Sequence, residues 1–580
     1  MAKHPIGKGR KNPPASSTSG AQATEETGLA SESSASSSRS GAQRTKFLLA
    51  ALGSLLVSLL VYGMRVDRVF GLIVDDAWYV MLAKALATGQ GYTLINSPSP
   101  GITPFYSPGF PALLSLFYRL SPNFPNNIYL LKSVSIAAMM GVGALSYLYF
   151  KRFRDLPTYV SLGLGMATVV YPAIVFLATS AVMSEPVFMC AQLGAILLIE
   201  RCVRDGEGGS SMKWIALGGV VAAFAFLTRP AGVGLLAAGV LYLARERMLK
   251  QAAIFVATVA LLVGPWMLYS RSHAPTPAQQ AEQGANIVQP YTTQLWQRTA
   301  GQPLSGTITA GDLPGRIWNN LSEIGRYDFG ALVFYSLYRP LEPGLPIRVP
   351  SEARMISVAL MLLALAGYIL TVKRRLTAVE LVVPFSIGVS CLWGWEQFRL
   401  LLPLVPFLFY YLLMGVQGIG QLYQKLQAES RAGRESIAAL VFIWLIVLFN
   451  LYGNVQYIQK KNEPQPEYGL RWIRSFEENL DLINHISANI PKEDVIATQN
   501  PALVHLFTGH KTVASDDPAG SWETWNRIGV RYLARTSPLP LPKTDPAESR
   551  FRTVYRATGT LNLRLIDLGP PSSRPVWGRN

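Results

Sequence analysis

Asp75 and Asp76 stand side by side in the stretch Val74-Asp75-Asp76-Ala77-Trp78-Tyr79. Adjacent carboxylates repel each other, so such a pair either raises one pKa or recruits a cation, and both outcomes suit proton abstraction or metal-assisted group transfer. The same pair serves equally to charge the start of a helix, because the residues that follow, through Leu82, Ala83, Leu86 and Ala87 to Gly89, have a helical pattern. Spacing alone leaves both readings open. Histidine offers no rival site: His273, His485, His505 and His510 are scattered, without HxxxH or HExxH spacing, so any metal would be held by oxygen ligands. Cys190, Cys202 and Cys391 lie in or at the ends of apolar runs, without metal-ligand spacing, and imply no disulfide framework.

The elements that must position this pair belong to a membrane protein. The chain has 580 residues, 50% apolar and 15% charged, with positive mean hydropathy, a composition foreign to a soluble protein of this size. Apolar runs recur at 47–64, 128–150, 159–178, 186–199, 214–227, 231–244, 252–269, 356–372, 378–393, 400–422 and 437–451. A bilayer core about 30 Å thick takes about 20 helical residues to cross, so these runs are read as about eleven spans. The first lacks a convincing small-x-small cleavage site and is read as a retained span rather than a signal peptide. The net charge of +17 does not point to nucleic acid, because the basic residues sit mostly between apolar runs rather than in one patch.

Alternation from a cytoplasmic N-terminus places the connections 151–154, 201–213, 245–250, 373–375 and 425–434 in the cytoplasm, and all five are short and basic. The two arms flanking Thr228-Arg229-Pro230, each about 14 residues, read as two spans or as one re-entrant hairpin across 214–244. The expected organisation is a Ser-, Thr-, Gly-, Ala- and Pro-rich disordered cytoplasmic tail at 1–45, a transmembrane core at 46–455 with external loops 65–127 and 271–354, and an extracytoplasmic α/β domain at 456–580. In that last domain, helical patterns near 472–489 and 501–508 alternate with β-like stretches at 494–498, 511–514 and 530–533. The fold class is thus mainly α, polytopic and transmembrane, with a small C-terminal α/β domain.

The order of several short motifs along this topology resembles the GT-C membrane glycosyltransferases, in particular the protein O-mannosyltransferase and aminoarabinose-transferase branch. The motifs are the Asp75-Asp76 loop after the first span, Tyr106-Ser107-Pro108-Gly109-Phe110-Pro111 before the second, and Met183-Ser184-Glu185-Pro186 before the fourth. Leu227-Thr228-Arg229-Pro230, Gly264-Pro265-Trp266 and Arg399-Leu400-Leu401-Leu402-Pro403 continue the series, and Ser107 stands where the family pattern has a second proline. The resemblance covers most of the chain. It implies a GT-C helical core and inverting transfer from a sugar on a polyprenyl phosphate, with Asp75 or Asp76 as the base that takes the acceptor's proton. The acceptor it leaves as a lipid, a glycan or a protein.

A departing lipid phosphate calls for Arg, Lys or a divalent cation, and Arg229 and Arg399, expected at the outer ends of spans, are the candidates. Snorkelling to the interface is their alternative role. Lys132, within one turn of the outer edge of the second span, has the same two readings. Glu185 suits acceptor binding, metal binding or a helix N-terminus. No cofactor is required by these residues, though a divalent cation is admitted. Aromatic residues of the external loops, among them Trp78, Tyr79, Tyr92, Tyr106, Trp296, Trp318 and Trp395, suit sugar stacking or an interfacial belt.

The competing reading is a multi-pass transporter or flippase of a lipid-linked or small substrate, and a third is a non-catalytic assembly protein. Span centres nearly free of charge, with acidic residues clustered just outside them, favour chemistry at one face over passage through the middle. Basic cytoplasmic connections suit a bacterial inner membrane and an endoplasmic-reticulum membrane alike, and the Ser-rich tail inclines the reading to the bacterial one.

Overall fold

The computed structural model describes residues 45–571 except 100, 207, 284, 341–348, 428–431, 466–468, 516 and 544. The tail expected at 1–45, but for Thr45, lies outside the described residues, as do 428–431 of the basic connection at 425–434. The chain divides into a unit Met1–Val57, described only over its helical residues from Thr45, and a unit Ser58–Asn580 that contains the sheet and the site described below.

Eight described helices are long and apolar enough to cross a membrane: Thr45–Arg65, Ile128–Arg152, Glu185–Asp205, Gly209–Thr228, Leu249–Ser272, Ser351–Arg374, Gln397–Leu422 and Ile437–Lys461. Two shorter apolar helices, Pro230–Arg245 and Ala378–Leu392, join them. The run at 159–178, expected as one span, is instead a pair, Thr158–Val169 and Pro172–Thr179, bent by 52°. Proline explains the break: Pro172 has no N–H to give and excludes helical geometry from the residue before it, so Tyr171 is extended at φ −65°, ψ 120°. Every expected run thus falls on a helix, but length and composition qualify eight as spans, or nine with the bent pair, where about eleven were expected.

Pro230 acts in the same way on Arg229, which is extended at φ −147°, ψ 128° and ends the helix Gly209–Thr228. That helix is long enough to cross by itself, whereas Pro230–Arg245 is short. Elsewhere in the bundle small residues set the helix spacing. A Cβ on Gly367 would meet the Tyr411 carbonyl, and one on Gly415 would meet Leu363, so the helices Ser351–Arg374 and Gln397–Leu422 touch backbone to backbone.

After the last span, which runs on to Lys461, the chain forms one five-stranded sheet: β1 Val495–Thr498, β2 Thr512–Ala514, β3 Val530–Arg535, β4 Arg552–Arg556 and β5 Arg564–Asp567. Their order is β2-β1-β3-β5-β4, with β2, β1 and β3 parallel and β5 and β4 antiparallel to their neighbours. Alternate side chains of a strand face opposite sides. Val495 and Ala497 accordingly pack with Trp522 and Trp525 of the helix Pro518–Arg527, while Ile496 packs on the other face with Leu482 and Ile486 of the helix Arg471–Asn489.

The α/β segment is seated on the first loop. The Thr512 N–H donates to the Asn96 carbonyl at 2.8 Å, the Asn96 amide donates to the Thr512 carbonyl at 3.1 Å, and the Lys511 ammonium reaches the Ile95 carbonyl at 2.9 Å. The rings of Phe124 and Phe507 meet edge to face at 4.9 Å. Most important for the site, the Asn500 amide donates to the Gly71 carbonyl, and the Leu503 side chain fills the space a Cβ on Gly71 would need.

Candidate active site

Asp75 and Asp76 open the helix Asp75–Ala87, but neither caps it: Val74 is the N-cap residue, and no side-chain capping bond is made. The entry is strained. Val74 sits at φ 71°, ψ −54°, and the Asp75 N–H donates to the Ile73 carbonyl at 2.9 Å, so the chain passes through a three-residue γ-turn of the disfavoured hand. A β-branched residue at positive φ costs about 1–3 kcal/mol and persists only where surrounding contacts hold it. This turn splits the two carboxylates between different environments.

Asp76 turns inward and is 1% exposed, with its oxygens accepting the Gly71 N–H at 2.8 Å and the Ala77 N–H at 3.1 Å. Burial, reinforced by the Asp75 charge and opposed by the Gly71 hydrogen bond, pushes its pKa up from 3.8 to about 6. It ties the turn to the helix. Asp75 turns outward, with its side chain 25% exposed. Its Oδ1 accepts the Tyr106 hydroxyl at 2.7 Å and its Oδ2 the Arg399 Nη2 at 2.8 Å.

Arg399 also donates through Nε to Glu185 Oε1, and Arg229 Nη1 lies 3.0 Å from the same oxygen. Arg229 Nη1 further donates to Ser184 Oγ at 3.0 Å, and Ser184 donates to the Tyr79 hydroxyl at 3.2 Å. These groups meet because the helix starting at Glu185, the helix ending at Thr228 and the helix starting at Gln397 present their ends on the same side of the bundle as the Asp75 turn. Two guanidiniums thus hold two carboxylates in one cluster. Each guanidinium has five N–H donors, more than these bonds use, and Glu185 Oε2 is buried without a hydrogen-bond partner. The cluster retains donors for an anion and an acceptor for a hydroxyl.

Tyr106 and Tyr79 keep their protons. Burial, then the Asp75 charge, holds Tyr106 well above the usual phenol range, and the same two causes in the same order push Tyr79 to about 12. Their rings meet edge to face at 5.2 Å.

Of the six residues singled out in the sequence, the structure brings together Asp75, Glu185, Arg229 and Arg399. Asp76 adjoins them but is turned away. Lys132 is a correction: fully buried, it neither snorkels nor reaches the cluster, because its ammonium is taken by the carbonyls of Asp67 and Val69, both at 2.8 Å, and by Asp67 Oδ1 at 3.2 Å. Three N–H donors meeting three oxygens leave none for a phosphate. Ser184 was not singled out, and Tyr106 was named only among the external-loop aromatics and not as a partner of the acidic pair, although both stand in the motifs that carry the family resemblance. Trp78, Tyr79, Tyr92 and Tyr106 are buried, which removes them as exposed platforms for a sugar. Among the described residues, no three His, Cys, Asp or Glu side chains come together as metal ligands.

The fold and cluster define a multi-pass helical membrane protein with a charged site at one end of the bundle. No family profile matches the sequence, and no curated protein does. Solved structures of GT-C membrane glycosyltransferases are similar to it over most of its length. The oligosaccharyltransferase of Archaeoglobus fulgidus, solved tethered with an acceptor peptide, is 12% identical over 83% of this chain and 68% of that one, with a TM-score of 0.49. ArnT from Cupriavidus metallidurans bound to undecaprenyl phosphate is 12% identical over 92% of this chain and 99% of that one, at 0.43. The arabinofuranosyltransferase AftD from Mycobacteria is 13% identical over 91% of this chain and 40% of that one, at 0.41.

Proposed function

We propose that the protein is an inverting glycosyltransferase that moves a sugar from a polyprenyl-phosphate donor to a lipid, glycan or protein acceptor at the extracytoplasmic face of a bacterial inner membrane, with the N-terminus cytoplasmic. The observation that carries this reading is the Asp75 carboxylate, partly open, oriented by Tyr106 and Arg399, and next to two guanidiniums with donors to spare.

In this mechanism Asp75 accepts the proton of the acceptor hydroxyl as its oxygen forms a bond to the anomeric carbon. The bond between that carbon and the donor's phosphate oxygen breaks on the opposite face, so the configuration inverts. Polyprenyl phosphate leaves with the electron pair, and Arg229 and Arg399 stabilise its charge. Glu185 holds both arginines in place and offers Oε2 to a substrate hydroxyl. No step is routed through a metal.

The test is transfer of labelled sugar from a panel of polyprenyl-phosphate donors to membrane acceptors by the purified full chain. Asp75→Asn is expected to lower turnover by about 10²–10⁴-fold, the usual contribution of a positioned base, while donor binding persists. Wild-type protein that transfers nothing across the panel, with Asp75→Asn and Asp76→Asn both functional in cells, would sink the transferase reading and put the transporter in its place.

A further inference from the structure

Beside the charged cluster lies a cavity of about 790 Å³ that the transfer chemistry above does not use. It falls within the size range of small-molecule sites, about 300–1,000 Å³. Its walls come from the second external loop, the start of the helix Ser351–Arg374 and the segment that leads into Arg399.

Three features of the lining specify an occupant. The first is Gln397, which is 3% exposed. Its amide nitrogen is committed to the carbonyls of Trp393 at 3.3 Å and Trp395 at 2.6 Å, which leaves Oε1 as an acceptor with no partner. Because both of those partners are carbonyl oxygens, the amide cannot be turned the other way round. A buried acceptor without a donor costs free energy unless a ligand supplies one.

The second is Trp395, whose side chain is 45% exposed at the rim, an apolar ring left available for stacking. The third is charge. Glu323, Asp328 and Glu396 outnumber Arg339 and Arg354, and Arg339 is already bound to both Asp328, at 2.8 Å, and Glu396. Arg354 lies over the Tyr327 ring at 5.2 Å. An anion such as a lipid phosphate meets net negative charge here, so a neutral molecule rich in hydroxyls, which both donate and accept, fits better. The wall that holds Tyr327 and Asp328 is a π turn, Ile324–Asp328, a helix irregularity that recurs at functional sites.

The cavity is also coupled to the reacting groups. Gln397 and Arg399 lie two residues apart on the helix Gln397–Leu401, about 200° around its axis at about 100° per residue, so one face meets the cavity and the other meets Asp75. Phe398 lies between them, with the Arg339 guanidinium over its ring at 4.4 Å.

We infer that this cavity binds a neutral oligosaccharide and is the acceptor subsite, which narrows the acceptor of the proposed transfer to a glycan. The inference rests on the transferase reading for the word acceptor, and on the cavity alone for the ligand.

Saturation-transfer NMR on the purified full chain in detergent micelles, with mannotriose, arabinotriose and galactotriose as probes and a hydroxyl-bearing peptide as control, tests it. At least one trisaccharide is expected to contact wild type and Asp75→Asn alike, and to bind at least about tenfold more weakly to Trp395→Ala and Gln397→Leu, a change equal to about 1.4 kcal/mol. Trp395→Phe, which keeps a ring, is expected to restore part of the binding. No contact from any trisaccharide, contact indifferent to both substitutions, or displacement by the peptide alone would each overturn the subsite. Because Asp75→Asn is scored here for binding and elsewhere for turnover, failure of the transferase reading and failure of the subsite give different results.

Discussion

Arg399 bridges Asp75 and Glu185, carboxylates 110 residues apart in sequence, through two different guanidinium nitrogens. A lysine keeps the charge but presents one compact ammonium, which cannot meet both carboxylates in that fork geometry. Arg399→Lys is therefore expected to leave the protein folded, because Glu185 retains Arg229, and to lower kcat by about 10–100-fold with a smaller change in donor KM. Steady-state transfer kinetics check this. Unchanged kcat would mean that Asp75 needs no such orientation.

The γ-turn at Val74 predicts a trade between stability and activity. Glycine adopts φ 71° without the Cβ penalty, so Val74→Gly removes strain of about 1–3 kcal/mol while loosening the residue that aims Asp75. Thermal unfolding in detergent is expected to shift upward and kcat to fall. A variant that is both less stable and fully active would contradict the strain.

Through Gly71 the α/β segment reaches the site. The Gly71 N–H donates to Asp76, and its carbonyl accepts from Asn500. Asn500→Ala removes this hydrogen bond together with the one its Oδ1 accepts from the Leu503 N–H at 3.2 Å as cap of the helix Pro501–Thr508, each worth about 1 kcal/mol; kcat should fall about fivefold through the lost support of the turn, with donor KM little changed. Gly71→Ala is expected to be worse, because φ is +80° there and the new Cβ meets Leu503. An Asn500 variant with wild-type kcat would confine the α/β segment to a structural role.

Asp76 gives a pH signature. Its folded-state pKa is raised, to about 6 from 3.8, so the native state holds this proton more tightly than the unfolded chain does. The stability it contributes is complete below 3.8 and is lost as pH rises through about 6. Asp76→Asn has no such titration. The difference in melting temperature between variant and wild type is expected to move in the variant's favour between pH 4 and pH 7, by the equivalent of about 3 kcal/mol at about 1.4 per pK unit, and to level off above. A flat difference would count against a buried, titrating Asp76.

Because arginines occupy the positions between the carboxylates, transfer is expected to proceed unchanged in excess EDTA. Loss of activity on chelation, with recovery on adding back a divalent cation, would assign Asp75 and Glu185 to a metal instead.

Much of the architecture was legible in the sequence because it is written in local signals. Hydropathy over about 20 residues marks a membrane helix, and proline marks its breaks; every apolar run falls on helix, the run at 159–178 on two, and the strands β1, β2 and β3 begin within about a residue of the β-like stretches read from the sequence. The helix Pro518–Arg527 had a local signal too, in Asp517, whose side chain caps it by accepting the Gly520 N–H at 3.0 Å. The edge strand β4 had less, since it is mostly exposed and shows no clean alternation. The acidic pair, Glu185 and the two arginines were identifiable by residue type. Their roles were not. That Asp76 is an internal tie and Asp75 the open carboxylate depends on the backbone turn at Val74. That Lys132 is spent on the first loop while Arg229 and Arg399 converge on Glu185 depends on which helix ends pack together. The cavity at Gln397 and Trp395 likewise forms only where segments far apart in sequence meet. Periodicity reports which face of one helix seeks the core, but charge pairing, burial and an unmet hydrogen bond are properties of neighbours, and only tertiary packing decides who the neighbours are.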